Sequence, residues 1–226
     1  MEYLIKIRSL ILDLLFPPIC IHCQTHISRN SSNPVFCQNC EMKIQIHSTL
    51  FCPVCKNRLP NNENTCHKSS KYLLAAVTNY EEPMKSIIQH LKYDGWTRVL
   101  DSIKKYLEKY IEALALDVNG YIIIPIPLHP DRLKERGFNQ AEIIGQALSD
   151  ILQIPMKTDL LIREKKTESQ VKLGNYKLRQ ENLANAFKIK NNSTSLKNKN
   201  IILVDDVYTS GSTMNDAVRE LKSAGL

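Results

Sequence analysis

Residues 201–213 read IILVDDVYTSGST. An apolar stretch hands over to two acids, and a short loop of hydroxyl residues and glycine follows. A strand that ends in such a loop before a helix presents it at the carboxyl edge of a parallel sheet, where these folds bind ligands. The amides of Thr209, Ser210, Gly211, Ser212 and Thr213 can point at a phosphate, and the start of a helix adds a favourable field. Gly211 permits a close backbone approach. The hydroxyls of Thr209, Ser210, Ser212 and Thr213 can donate further bonds. Asp205 and Asp206 are suited to accept from vicinal ribose hydroxyls. A buried strand followed by a Ser- or Thr-capped helix is the plainer alternative; two adjacent acids at that place favour the sugar-phosphate reading. The chain has no G-x4-G-K-[ST], which argues against nucleoside triphosphate hydrolysis by a P-loop.

Two upstream segments add positive charge. PIPLHPDRLKERGFNQA (125–141) sets Arg132 and Arg136 four apart, on one face of a helical turn. Guanidinium forks match pyrophosphate oxygens. REKKTESQVKLGNYKLRQENLANAF (163–187) carries Arg163, Thr167, Gln170, Arg179 and Asn182 along a polar, basic stretch.

The seven cysteines supply a second chemistry. All lie within residues 20–66, and six form three C-x2-C pairs. The odd count and paired spacing favour metal in a reducing compartment over a disulfide framework. Cys20, Cys23, Cys37 and Cys40 form C-x2-C-x13-C-x2-C, two knuckles that close one tetrahedral Zn²⁺ site. Cys52, Cys55 and Cys66 hint at another. Ser69, a poor zinc ligand, stands where a second closing cysteine is expected. His67, adjacent to Cys66, is not expected to reach, so this set is read as incomplete.

Behind these groups stand the elements that must hold them. Residues 1–16 read as a short amphipathic helix rather than a signal peptide, because charges punctuate the stretch and no cleavage site follows; contact with a membrane surface is the alternative. Residues 17–70 are Cys-rich and turn-rich. From 71 the texture changes. Strands are expected over 73–80, 121–127, 158–162, 185–190 and 200–207, and helices over 82–92, 98–116, 139–152 and 213–225. Strands alternating with helices argue for a mainly parallel sheet. The 226 residues, 43% hydrophobic and 23% charged, can bury a core. No apolar run reaches membrane-spanning length. The net charge of +7 is uneven: residues 163–199 hold ten Lys/Arg against three Glu, and the remainder balances. Such a stretch suits phosphates, on a small molecule or on nucleic acid. Tyr176 and Phe187 alone interleave it, so any single-strand binding rests on charge more than on base stacking.

The 201–213 segment resembles the signature of type I phosphoribosyltransferases: apolar residues, two acids, then a Thr/Ser/Gly phosphate loop. In 6-oxopurine enzymes of that kind the loop begins with an acid that serves the base, and here Thr209 stands there. Taken with the other segments, the chain resembles the ComF family. Its R-x3-RGFNQ element matches Arg132, Arg136, Gly137, Phe138, Asn139 and Gln140. Its R-x3-T-x2-Q, R-x2-N and AF elements match Arg163, Thr167, Gln170, Arg179, Asn182, Ala186 and Phe187. LKY at 91–93 and FPPICIHC at 16–23 match as well, so the likeness covers nearly the entire chain.

The resemblance implies a type I phosphoribosyltransferase fold over 71–226 behind a zinc ribbon over 17–70. It implies phosphoribosyl pyrophosphate as ligand, Mg²⁺ with it, and structural Zn²⁺. Asp205 and Asp206 would be the catalytic pair. Thr209, Ser210, Gly211, Ser212, Thr213, Arg132, Arg136 and Arg163 would hold the phosphates. The implied setting is cytoplasmic: natural competence and the handling of imported single-stranded DNA, with competence helicase or DNA-processing proteins as partners. Whether the family catalyses transfer, and to which acceptor, is left open by the motifs. A non-catalytic sensor of phosphoribosyl pyrophosphate and a zinc-ribbon adaptor are the rival readings. Gly225 reads as a helix C-cap. ComF-like chains continue from there with another strand, so this sequence is expected to be truncated or to lack an edge strand.

Overall fold

The computed structural model describes residues 17–28, 31, 33–93, 97–165, 186–190 and 199–226. The expected 1–16 helix lies outside them, as do Thr167, Gln170, Arg179 and Asn182. The chain packs as two units: one from Met1–His47 and Val77–Tyr106, the other from Ser48–Ala76 and Leu107–Leu226.

In the first unit, helix α1 (Gln38–Glu41) follows directly on Cys37. Asn33 organises this region. Its Oδ1 accepts from the backbone N–H of Val35 (3.0 Å) and of Phe36 (3.2 Å) and from the Ser102 hydroxyl (3.0 Å), while Nδ2 donates to the Tyr106 hydroxyl at 2.8 Å. A buried amide is tolerated when its capacity is used in this way. Phe36, fully buried, anchors the same turn, and Ile87 and Leu91 are likewise wholly enclosed.

In the second unit, β1 (Leu50–Phe51) and β2 (Arg58–Leu59) form a short antiparallel pair. Helix Met84–Tyr93 (α2) belongs to the first unit, and helix Thr97–Leu114 (α3) begins in the first and ends in the second. Then β3 (Ile122–Pro125) pairs in parallel with β6 (Ile201–Val204), and a parallel bridge joins Ile123 to Met156. All four residues of β3 are buried, the pattern of a strand covered on both faces. Helices α4 (Pro130–Arg136) and α5 (Gln140–Leu152) follow β3, and α6 (Ser212–Ser223) follows β6. A separate antiparallel pair, β4 (Leu161–Arg163) with β5 (Phe187–Ile189), adds a mixed element to the parallel core. The core of this unit gathers Ile122, Ile124, Leu161, Phe187, Ala217 and Leu221. Burying an aliphatic side chain of that size contributes about 1.5–3 kcal/mol.

The expected α/β fold with a parallel sheet is present, preceded by the Cys-rich region. The strand expected over 73–80 is not. Leu74 makes a single bridge to Phe51, and Ala76 gives its N–H to the Tyr110 hydroxyl at 3.2 Å. A side chain has taken the place of a partner strand. Helix α4, which the sequence suggested only as a helical turn around Arg132, is started by His129, whose Nδ1 accepts from the Asp131 N–H, and ended by Gly137 at φ 79°.

Candidate functional site

The parallel register sets the site. Ile122 pairs with Ile201 and Pro125 with Val204, and the N–H of Ile126 donates to the Val204 carbonyl at 2.8 Å. The next two residues, Asp205 and Asp206, therefore leave the sheet at its carboxyl edge. The Asp206 N–H donates to Asp205 Oδ1 at 2.9 Å. Burial pushes the Asp205 carboxyl up to about 7, and the charge of Asp206 adds to the rise; Arg163 opposes it. Two acids in one half-buried place cannot both ionise at low energetic cost.

The loop then turns through Thr209 and Ser210 to Gly211, which holds φ 77° and stands as N-cap of α6. Gly211 has no side chain with which to cap the helix, the first turn holds no acid, and the Ser212 N–H donates to the Ser210 hydroxyl at 3.4 Å. The field of such a helix start favours an anion. The Ser210 and Ser212 hydroxyls lie 2.9 Å apart across the loop. The Tyr208 ring folds back over Gly211, where a Cβ would overlap its hydroxyl. Only glycine fits both the backbone angle and this space.

The arginines come to the site from different elements. Arg163, at the end of β4, is paired in register with Phe187, and its guanidinium carbon lies 5.4 Å from that ring's centroid. Burial lowers the Arg163 pKa, the like charge of Arg132 lowers it further, and Asp205 acts in the opposite sense. Arg132, Arg163 and Asp205 thus form one electrostatic group. Arg136 donates from Nη1 to Oε1 of Gln140, the first residue of the next helix, at 3.1 Å. Asn139 caps α5 through the Ala141 N–H and donates to the Ile126 carbonyl at 3.0 Å. The RGFNQ segment is therefore a helix stop, a cap and a tie to β3.

Two clusters of soft ligands are also formed. The sulfurs of Cys20, Cys23, Cys37 and Cys40 all lie within 4.8 Å of one another, and Cys23 and Cys37 are 3.6 Å apart. A tetrahedron with Zn–S bonds of about 2.3 Å has edges of about 3.8 Å, so the set fits Zn²⁺. The thiols otherwise conflict: the Thr25 hydroxyl and amide hold Cys23 down to about 6, while burial and neighbouring thiols push Cys40 up. A divalent cation resolves that conflict by accepting all four as thiolates.

The second cluster corrects the sequence reading. Cys52, Cys55, Cys66 and His67 bring four ligand atoms within 4.8 Å of one another. His67 Nδ1 lies 3.5 Å from Cys52 Sγ and 3.2 Å from Cys66 Sγ, and Cys55 and Cys66 are 3.3 Å apart. His67 does reach: the longer imidazole crosses the gap that sequence adjacency seems to forbid. This three-sulfur, one-nitrogen set is an ordinary zinc donor set. The two knuckles share a turn. The N–H of Gln24 donates to the Cys20 carbonyl at 3.0 Å and that of Lys56 to the Cys52 carbonyl at 2.7 Å. Gln24 (φ 62°) and Lys56 (φ 61°) both take the left-handed conformation.

Sequence reasoning passed over Lys56, Tyr72 and Tyr208 beside the loop, and Asp216, which accepts the Ala186 N–H. Lys56 could have been found as the residue after the third C-x2-C; the others carry no local signal.

Comparison with known proteins places these features. Residues 138–226 match the phosphoribosyl transferase domain, and residues 11–78 match the double zinc ribbon domain. The chain is 30% identical over 226 residues to Competence protein F of Haemophilus influenzae, covering 92% of both. It is 27% identical to Competence protein ComFC of Bacillus subtilis, over 92% of this chain and 90% of that one. It is also 27% identical to the DNA utilization protein YhgH of Shigella flexneri, over 94% of each.

Proposed function

The chain belongs to the ComF family, and from that premise we propose that residues 205–213 bind 5-phosphoribosyl pyrophosphate with Mg²⁺. The carrying observation is a small-residue loop that starts α6 on a left-handed glycine, a few residues after two acids at the carboxyl end of a parallel strand. The amides and hydroxyls of Thr209, Ser210, Gly211, Ser212 and Thr213 take the ribose 5-phosphate. Asp205 and Asp206 accept from the ribose hydroxyls. Arg163 and Arg132 face the pyrophosphate, with Arg136 one turn further along α4. Mg²⁺ brought with the ligand would supply further neutralisation of the pyrophosphate charge.

The same residues suit transfer. When the bond from ribose to pyrophosphate breaks, positive charge grows on the sugar and negative charge on the leaving group. Fixed carboxylates stabilise the first and guanidinium groups the second, without reorganising during the step. Asp205 must be ionised to contribute. The acceptor is a nucleophile that this site does not identify. Thr209, in place of an acid that would serve a purine, favours an acceptor other than a 6-oxopurine and keeps a non-catalytic sensor as the second reading.

The named relatives serve competence and DNA utilization. We place this chain in the same setting: a cytoplasmic protein that handles imported single-stranded DNA alongside competence helicase or DNA-processing proteins. Among the described residues no helix is long and apolar enough to cross a membrane.

Calorimetry with phosphoribosyl pyrophosphate and Mg²⁺ tests the ligand. Binding by the native chain that Asp205→Asn with Asp206→Asn removes supports the reading; equal binding by that double variant overturns it. Pyrophosphate release with a panel of bases then separates enzyme from sensor.

A further inference from the structure

The second Cys-rich knuckle and the phosphate loop meet directly within the second unit. Lys56, the left-handed residue that closes the Cys52–Cys55 turn, donates from Nζ to the Thr209 carbonyl at 3.1 Å. The Tyr208 hydroxyl donates to the Pro53 carbonyl at 3.3 Å. It also lies 3.3 Å from the hydroxyl of Tyr72, a half-buried residue shortly after His67. Tyr208 in turn occupies the space beside Gly211, the residue from which α6 starts. Two consecutive loop residues are thus held from the knuckle, one through its carbonyl and one through its side chain.

Among the described residues the apolar packing of the knuckle is slight, and backbone bonds such as the Phe51–Leu74 bridge add to it. Its apolar cluster is Leu50, Cys52 and Leu59, with Cys55 and Leu114 partly buried against it. The β1–β2 pair is two residues long on each side, far short of independent stability. Both ends of the region carry metal ligands: Cys52 and Cys55 flank Pro53 and precede Lys56, and Cys66 and His67 precede Tyr72. A metal on the four ligands therefore fixes the donors and acceptors that face the loop. The left-handed angle of Lys56 belongs to the knuckle turn, as at Gln24; what distinguishes Lys56 is the bond from its ammonium to the loop.

We propose that Lys56 and Tyr208 are positioning residues that couple metal binding at Cys52, Cys55, Cys66 and His67 to phosphate binding at residues 209–213. The proposal rests on the phosphoribosyl pyrophosphate reading above. Such coupling is reciprocal: whatever factor the metal adds to ligand affinity, the ligand adds to metal affinity. A merely structural contact would change melting temperature and leave that linkage at unity.

The test uses the full-length, zinc-loaded chain. Ligand affinity is measured by calorimetry with phosphoribosyl pyrophosphate and Mg²⁺, and zinc release is followed with a chromogenic chelator in the presence and absence of that ligand. Lys56→Met removes the bond to the Thr209 carbonyl and Tyr208→Phe the hydroxyl shared by Pro53 and Tyr72, so each should weaken ligand binding about three- to tenfold at unchanged zinc content. Lys56→Arg, which keeps a donor, should restore most of the affinity. In the native chain, saturating ligand should slow release of one of two zinc ions, and Lys56→Met should abolish the slowing. If the native chain binds ligand but releases zinc equally fast with and without it, the coupling is overturned and the ligand reading stands. If the fully loaded native chain binds no ligand, both fall.

Discussion

The buried carboxylate of Asp216 accepts the backbone N–H of Ala186 at 2.9 Å. Its other oxygen meets Arg219 one turn along α6. Ala186 directly precedes β5, whose Phe187 carries the guanidinium of Arg163. One side chain therefore ties the helix that starts at the phosphate loop to the strand beneath an arginine of the site. Replacing it by alanine leaves a buried N–H without an acceptor. Asp216→Ala should lower unfolding free energy by about 1–3 kcal/mol, and Asp216→Asn, which keeps an acceptor, by less. Denaturant unfolding measures both, and an unshifted midpoint for the alanine variant refutes the tie.

Asp205 makes stability depend on pH. Its folded pKa, about 7, lies above the unfolded value of about 3.9. The stabilising contribution of the protonated form is complete below the lower value and is lost as pH rises through the upper one. Asp205→Asn should therefore melt above the native chain near pH 8, with the gap closing towards about pH 4. Ligand binding should run the other way. It requires the ionised carboxylate, so affinity should rise with pH and level off above about 7. Affinity independent of pH across that window would remove Asp205 from the ligand's contacts.

Metal content is a direct count. Two complete donor sets predict about two zinc ions per chain by elemental analysis. Cys66→Ser should leave about one, held by Cys20, Cys23, Cys37 and Cys40. A native chain with only one firmly held ion would return the second set to the incomplete status that Ser69 suggested.

Gly211 and Gly120 separate backbone strain from collision. Both hold positive φ, 77° and 76°, but a Cβ at Gly120 meets nothing within 4 Å whereas one at Gly211 runs into Tyr208. Gly120→Ala should cost about 1–2 kcal/mol of stability and leave ligand affinity intact. Gly211→Ala should in addition abolish ligand binding. Calorimetry on both variants decides; equal affinities would show that the loop tolerates a displaced tyrosine.

The basic stretch over 163–199 should bind single-stranded DNA weakly and lose it with salt, with a log–log slope of about −0.7 per neutralised phosphate. Fluorescence anisotropy across a salt series measures this. A flat response would exclude an electrostatic origin.

The parts legible in the sequence were those with local causes. The apolar run of β3, the acid-acid turn after β6 and the C-x2-C knuckles each announce themselves within a few residues. Helix ends were close as well, because Gly137, Asn139 and Gly211 carry recognisable cap chemistry. What escaped was decided by distant partners. Leu74 and Ala76 read as strand until Tyr110, a residue of α3, claims a backbone N–H. Asn33 is an unremarkable polar residue until Val35, Phe36, Ser102 and Tyr106 converge on it. His67 was discounted from sequence adjacency, which does not measure how far an imidazole reaches. Tyr208 lies inside the motif read as a phosphate loop, yet its hydroxyl faces Pro53 and Tyr72.

The assignment of residues 48–76 to the same unit as 107–226 bears on how this protein can be dissected. A cut near residue 70, the boundary its composition invites, would not follow the compact unit that holds the phosphoribosyl transferase domain. It would strip that half of the β1–β2 hairpin, of Cys52, Cys55, Cys66 and His67, and of the lysine that grips Thr209. Exchange between relatives at that junction would graft a loop onto a foreign buttress. Chimeras should instead carry residues 48–76 together with the C-terminal half and exchange the segment ending at His47 along with Val77–Tyr106.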